Sequence, residues 1–342
     1  MKIYDIENIN FKMENKKKMD IILLDVEKNK KKIKQIENLN YCGEGGYGVV
    51  YRCNIDNKDC VIKFSENENP VYLKKCYNYL KDGLEDFMLK IYYSGKLINN
   101  PEYEFYSIMQ YGGDDLKKYD FDDKDNLKNS LFIIEQLINI CITIQEEKKM
   151  YTDFKLSNIL LDDDNKISII DIYIESNDLN NIKKCKFFKT NNVLDINICK
   201  MHKTKNYNYT YIYVLLMFVL INIMCENNLK TICNKIIKKK KINTENSKFS
   251  DIIQLAFYSK FNLHDETINN HIDELKGAIE FVNLNEIYDL FIDNIVIKEL
   301  YADIISKKLF VKILDNILIP IPKKRNVKYL KKFYNIIKDY NE

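Results

Sequence analysis

The chain has 342 residues, with 9 glycines, 4 prolines and no tryptophan. Average usage would give about 24 glycines and about 17 prolines, so collagen-like, Gly/Ser-linker and Pro-rich architectures are excluded. The 53 basic and 50 acidic residues leave a formal charge of +3, without the surplus expected of a nucleic-acid-binding surface. An apolar fraction of 46% with 30% charged residues describes an ordinary globular chain, long enough for one large domain or two moderate ones. The basic runs Lys16 to Lys18, Lys30 to Lys32, Lys238 to Lys241 and Lys323 to Arg325 are local and read as solvated faces. The 9 cysteines are odd in number and lack zinc-knuckle spacing, and the segment from Met1 to Asp20 is polar. Free thiols in a reducing, intracellular compartment are therefore expected.

In chain order, residues 1 to 38 alternate apolar and lysine-rich patches and read as a helical or partly ordered N-terminal extension. From 39 to 111 the pattern shortens. Val49 to Cys53, Cys60 to Phe64, Leu89 to Tyr93 and Phe105 to Gln110 are rich in β-branched and aromatic residues, which predicts strands. Asn54 to Asp59 has hairpin-loop chemistry, and the spacing of Val71, Leu73, Cys76 and Leu80 predicts a helix stopped by Gly83. From 112 to 342 the chain is mainly helical. Leu127 to Lys148 has apolar residues at helical spacing, while Ile159 to Leu161 and Ile167 to Ile170 read as short strands. Tyr211 to Ile221 is apolar on every side but shorter than the roughly 20 residues of a bilayer crossing, so a buried core helix is expected rather than a membrane span.

Three segments carry chemistry. Gly43-Glu44-Gly45-Gly46-Tyr47-Gly48-Val49-Val50, preceded by Cys42, matches G-x-G-x-x-G-x-V. Glycines in such a run let backbone N–H groups approach phosphate oxygens. A dinucleotide-binding turn would open a helix, whereas this run opens a strand, a hairpin and a second strand bearing Lys63. Lys63 closes Cys60-Val-Ile-Lys63, 15 residues after Gly48, where an ammonium could reach the phosphates of a nucleotide. Asp153-Phe-Lys155-Leu-Ser-Asn158 is followed by an apolar strand, a turn, another strand and Asp171. Phosphoryl transfer needs a carboxylate at the acceptor hydroxyl, a cation at the γ-phosphate and oxygen ligands for Mg²⁺, the roles that suit Asp153, Lys155, and the pair Asn158 and Asp171.

On these motifs the chain resembles the eukaryotic protein kinase family over roughly residues 39 to 300. The resemblance implies an α+β, bilobal fold with a β-rich N-lobe at 39–111 and a helical C-lobe at 112–342. It implies an ATP- and Mg²⁺-dependent serine/threonine kinase acting on a protein substrate, with Met109 as gatekeeper and Gln110 to Gly112 as the hinge that meets adenine. Asp114 or Asp115 would then lie near the ribose. The chain departs from the family at Tyr151-Thr152, which replaces His-Arg, and at Asp171-Ile-Tyr173, which replaces D-F-G; A-P-E is missing. Tyr211 stands near the place of a missing aspartate in the central helix. The helix expected to present a glutamate to Lys63 offers Lys74, Lys75 and Cys76, and Glu66, Glu68 and Glu85 look awkwardly placed for that role. The missing A-P-E and the altered D-F-G resemble haspin-type kinases, and divergent kinases of large DNA viruses or AT-rich parasites are similar to the same degree. The expected location is the cytoplasm, or the host cytoplasm or virion for a viral chain. Two alternatives accompany the kinase reading: a pseudokinase scaffold that keeps the fold and nucleotide, and a small-molecule phosphotransferase.

Overall fold

The computed structural model describes residues 2–7, 18–25, 30–45, 48–98, 100, 102–151, 153–172, 209–240, 284–318 and 325–342. Gly46, Tyr47, Thr152, Tyr173, Cys185 and Cys199 lie outside the described residues, as do parts of the basic runs. The chain is a mixed α+β protein that divides into two compact units, Met1–Asp115 with Asn158–Phe187, and Leu116–Ser157 with Phe188–Glu342.

The first unit is built on β1 (Lys2–Glu7), β2 (Lys18–Asp25), β3 (Lys30–Gly45), β4 (Gly48–Ile55), β5 (Lys58–Ser65), β6 (Ile91–Ile98) and β7 (Phe105–Gln110). They form a closed barrel in the order β1-β2-β3-β4-β5-β7-β6. The described parts of residues 1–38 are thus strands, not the expected helical or partly ordered segment. β1 pairs antiparallel with β2 and parallel with β6, and Ile6 is fully buried in the barrel core. Pairing β1 with β6 closes the sheet and removes the free edges that these two strands would otherwise offer to other chains.

Period-2 alternation sorts the strands. Val49, Cys53 and Ile55 of β4, Cys60, Ile62 and Phe64 of β5, and Tyr106 and Ile108 of β7 fill one core cluster. The β4–β5 hairpin turns at Asp56 and Asn57, both with positive φ (52° and 60°), the backbone of a type I′ turn. Helix α1 (Pro70–Lys81) follows β5. Its N-cap is Asn69, whose side chain accepts from the Val71 N–H, and Pro70 opens the first turn. Leu73, Cys76 and Leu80 form its buried stripe, and it packs on β6 and β7. Gly83 then takes φ +83° and ends the helical run.

After β7 the chain makes the short strand β8 (Asp114–Asp115), and later β9 (Ile159–Leu161) and β10 (Ile167–Ile169), a small sheet in the order β10-β9-β8. The β9–β10 turn is closed by the Asp162 carboxylate, which accepts from the Asp164 and Lys166 N–H groups at 3.1 and 2.8 Å. A parallel bridge from Met88 to Ile169 ties this sheet to the segment before β6.

The second unit contains α2 (Leu127–Glu146), α3 (Tyr211–Met224), α4 (Leu229–Lys240), α5 (Leu284–Asp293), α6 (Glu299–Ala302), α7 (Lys307–Ile317) and α8 (Lys328–Asn341). α2 packs against α3 and α8. Helix α3 is buried almost throughout, with Leu216, Met217, Leu220, Ile221 and Met224 inaccessible, as its uniform apolarity predicts. Lys124–Glu146 is the one helix among the described residues long and apolar enough to cross a bilayer, and half of that window is buried inside the structure. Tyr301 is fully buried and donates to the Phe121 carbonyl at 2.8 Å.

Candidate functional site

The register of the barrel decides which side chains share a face. Directly opposed residues in antiparallel pairs lie on the same side. Val50 opposes Lys63, and Lys63 opposes Ser107; one step along, Arg52 opposes Val61, and Val61 opposes Met109. Val50, Val61, Lys63 and Met109 therefore share the face of the sheet opposite the core cluster. Val49 opposes Phe64 and turns its side chain into that core, leaving only its backbone for a ligand.

The glycine run spans the end of β3 and the start of β4, where Gly43 opposes Val50 and Gly45 opposes Gly48. Its glycines answer to different demands. Gly48 has φ +141°, and a Cβ there would stand 1.8 Å from the Phe64 carbonyl oxygen, so the fold itself requires glycine. Gly43 would meet nothing within 4 Å, so packing does not account for it, while an approaching ligand would. Cys42 and Glu44 are exposed beside it.

Lys63 is the best-defined element of the site. Its ammonium donates to Glu68 Oε1 at 2.6 Å and to Asp171 Oδ1 at 2.8 Å. The three side chains are 12%, 10% and 32% exposed, so the lysine and Glu68 are largely withdrawn from water. Burial alone would lower the Lys63 pKa, but the Glu68 and Asp171 charges outweigh it and raise it, so the ammonium stays protonated. Glu68, which looked misplaced from its sequence position, is the acid that reaches Lys63. The helix that follows has no acidic residue at all.

Asp171 and Asn158 lie at the same end of the β9–β10 hairpin, since Asn158 precedes β9 and Asp171 follows β10 by two residues. The Ile170 N–H donates to the Asn158 carbonyl at 3.0 Å, which locks the two segments together. Asp171 adopts φ +54°, unusual for a residue with a Cβ and a form of strain that concentrates at functional sites. Asn158 is buried. An amide oxygen and a carboxylate are hard donors that suit Mg²⁺, which keeps water and phosphate oxygens in its remaining positions. No cluster of three or more His, Cys, Asp or Glu occurs among the described residues, so a dedicated all-protein metal cage is not offered there.

The segment proposed as hinge is held tightly. The Gln110 N–H donates to the Lys90 carbonyl at 2.9 Å and the Tyr111 N–H to the Asp59 carbonyl at 3.3 Å. A Cβ on Gly112 would press to 2.6 Å from Leu89 Cδ2, and one on Gly113, whose φ is +90°, to 1.8 Å from the Leu161 carbonyl oxygen. Asp114 and Asp115 pair with Leu161 and Leu160. The Arg52 guanidinium lies 3.8 Å over the Tyr111 ring and pairs with Asp59.

In the second unit, Lys155 donates to Asp153 Oδ2 at 2.8 Å. Asp153 is bracketed by Tyr151 and Phe154, both buried and in edge-to-face contact at 6.3 Å. These two aromatic anchors fix the loop that presents the acid and the lysine. Of the residues singled out from sequence, the structure groups Lys63 with Asp171, fixes Asn158 beside the Asp171 segment, and pairs Asp153 with Lys155. A separate polar cleft of 480 Å³ lies between Asn38, Asn40, Arg52, Asn54, Asn57 and Asp59, at the far end of β4 from the glycine run. No family model and no curated protein matches the chain.

Proposed function

We propose that the chain is an ATP-dependent serine/threonine protein kinase with a bilobal, kinase-like fold. The observation that carries this reading is the Lys63 ammonium held between Glu68 and Asp171, on a strand that pairs with the one leading out of the glycine run. A charged, positioned lysine beside a metal-suited carboxylate and a glycine turn with open space at Gly43 is what a nucleoside triphosphate would need.

In this reading the backbone of Gly43 to Gly48 and the Lys63 ammonium bind the phosphates, and the face bearing Val50, Val61 and Met109 receives the base at the Gln110 to Gly112 segment. Asp153 orients the acceptor hydroxyl and takes its proton, and Lys155 steadies the γ-phosphoryl group as it moves to that oxygen and ADP leaves. Asn158 and Asp171 would hold Mg²⁺, which when bound neutralises charge on the phosphate oxygens. Positioning and electrostatics then supply most of the acceleration.

The test is transfer of labelled γ-phosphate from ATP to generic protein acceptors by the purified chain. Asp153→Asn is expected to abolish it, and full transfer by that variant would refute the assignment. A nucleotide-binding pseudokinase is the second reading, favoured by the triplet Asp171-Ile172-Tyr173 in place of D-F-G and by a helix α1 that carries no glutamate. Nucleotide-induced stabilisation without transfer to any acceptor, protein or small molecule, would select it.

A further inference from the structure

We propose that helices α7 and α8 present a lysine surface that binds the phosphate backbone of duplex nucleic acid without regard to sequence. None of its residues belongs to the nucleotide site proposed above. The near-neutral total charge averages over an uneven chain. Residues 307 to 338 hold ten basic residues and one acid, a local +9 against +3 for the whole. Basic residues clustered along a helix face are the electrostatic footprint of a nucleic-acid partner even where the total is small.

Packing decides which of these charges are available. Phe310, Ile313, Leu314 and Ile317 bury one side of α7, and Leu330, Phe333 and Ile337 one side of α8, so the helical period leaves lysines on the outside. Part of the set is engaged within the unit. Arg325 donates to Thr210 Oγ1 at 3.2 Å, Lys331 pairs with Glu146 at 3.4 Å and Lys338 with Glu342 at 3.7 Å. The one acid of the segment, Asp315, accepts from the Tyr288 hydroxyl of α5. Lys308, Lys312, Lys328 and Lys332 remain, all exposed and none with an acidic partner among the described residues. Lys308 and Lys312 stand one turn apart on α7, as do Lys328 and Lys332 on α8. The two pairs adjoin, because the helices pack together and the Lys312 ammonium lies 5.6 Å from the ring of Tyr329, the neighbour of Lys328.

The chemistry of the surface selects among polyanions. A lipid surface is disfavoured, since the apolar faces of both helices are already buried in the protein. Tyr340, two turns beyond Lys332, is the one exposed large apolar side chain on the described parts of either helix. An acidic protein gains little from exposed lysine–carboxylate pairs, and lysine lacks the planar fork that grips a carboxylate. A duplex supplies what both lack. Its phosphates carry condensed counterions, and their release when lysines replace them drives binding.

The experiment follows the fluorescence anisotropy of a labelled DNA duplex of mixed sequence as the full chain is added, at NaCl from about 50 to about 200 mM. Four neutralised phosphates predict a slope of about −3.6 in log K against log[salt], a loss on the order of a hundredfold across that range. Lys308→Gln, Lys312→Gln, Lys328→Gln and Lys332→Gln combined are expected to abolish binding, and Lys312→Gln alone to flatten the slope by about 0.9. If the fourfold variant does not fold, Lys312→Gln with Lys332→Gln supplies the test, with a slope flatter by about 1.8. Lys58→Gln, Lys75→Gln, Lys81→Gln and Lys117→Gln combined, an equal charge change at exposed lysines elsewhere, are expected to keep the wild-type slope. No binding by the wild type at the lowest salt, binding retained in the fourfold variant, or an equal loss in the control overturns the proposal. So does a wild-type slope shallower than about −2. Displacement of the duplex with equal potency by phosphatidylserine vesicles or by polyglutamate, at matched charge, also overturns it and reassigns the surface to a lipid or an acidic protein.

Discussion

Replacing Lys63 by methionine tests how the site is held together before any nucleotide is involved. The substitution keeps most of the apolar stem and removes the ammonium that contacts Glu68 and Asp171 at 2.6 and 2.8 Å. Glu68, 10% exposed, is then left beside a second carboxylate with no cation between them. Removing one partner of a fully buried ion pair costs about 3–5 kcal/mol. Asp171 is about one-third exposed, so water screens its share and the lower end, about 3 kcal/mol, is expected. For a cooperative unit of this size that is a fall in Tm of about 6–12 °C. The assay is thermal unfolding by circular dichroism in EDTA-containing buffer, for Lys63→Met alone and combined with Glu68→Gln. The double variant should regain most of the loss, because the neutral amide no longer needs a cation. A Lys63→Met protein melting within about 1 °C of wild type would refute the claim that this ammonium neutralises buried acid.

Gly113→Ala should destabilise the chain by at least about 2 kcal/mol in urea unfolding, since φ +90° and a Cβ 1.8 Å from the Leu161 carbonyl oxygen both oppose it. Gly43→Ala, which meets no atom within 4 Å, should leave the urea midpoint unchanged while weakening nucleotide binding. Tyr301→Phe should cost about 1–2 kcal/mol by leaving the Phe121 carbonyl without its buried donor, again read by urea unfolding. Burial pushes the Cys60 thiol up to about 11 and those of Cys53, Cys225 and Cys233 up to about 12. The unfolded chain therefore loses these protons first, so their contribution is complete below about pH 9 and is lost as pH rises through 11 to 12. Each titrating thiol gives a slope of about −1.4 kcal/mol per pH unit, and Cys60→Ala should flatten the decline measured by urea unfolding from pH 9 upward. Cys42 is the exposed cysteine among those described, so a maleimide should label it before them, and MgATP should slow the labelling if the adjacent glycine run closes on phosphate.

The local features of this protein were legible in its sequence because local rules produce them. Asp56 and Asn57 tolerate the positive φ of a two-residue turn, so the β4–β5 hairpin could be placed. Leu73, Cys76 and Leu80 recur at helical spacing and form the buried stripe of α1. The uniform apolarity of α3 announced a helix with no solvent face. The catalytic candidates Lys63, Asp153, Lys155, Asn158 and Asp171 could be named for the same reason, each standing in a short motif of defined spacing.

Tertiary structure decided what depends on pairing between distant segments. Residues 1–38 carry lysine-rich patches that imitate a solvated helix, and the first of their described strands is held by a partner far along the chain: β1 lies parallel to β6, with Lys2 opposite Tyr93. Whether Val49 or Val50 faces the site follows from strand register, because a slip of one residue exchanges the two faces. Glu68 is the clearest case. A search for a glutamate at helical spacing passes over it, and only the path of the β5–α1 connection brings its carboxylate to Lys63, where Asp171 arrives from 108 residues away. Sequence alone determined which chemical groups this protein owns and which local elements carry them. The closure of the barrel and the choice of acid for Lys63 belong to the tertiary structure, because hydrogen-bond register and charge burial are properties of the assembled chain.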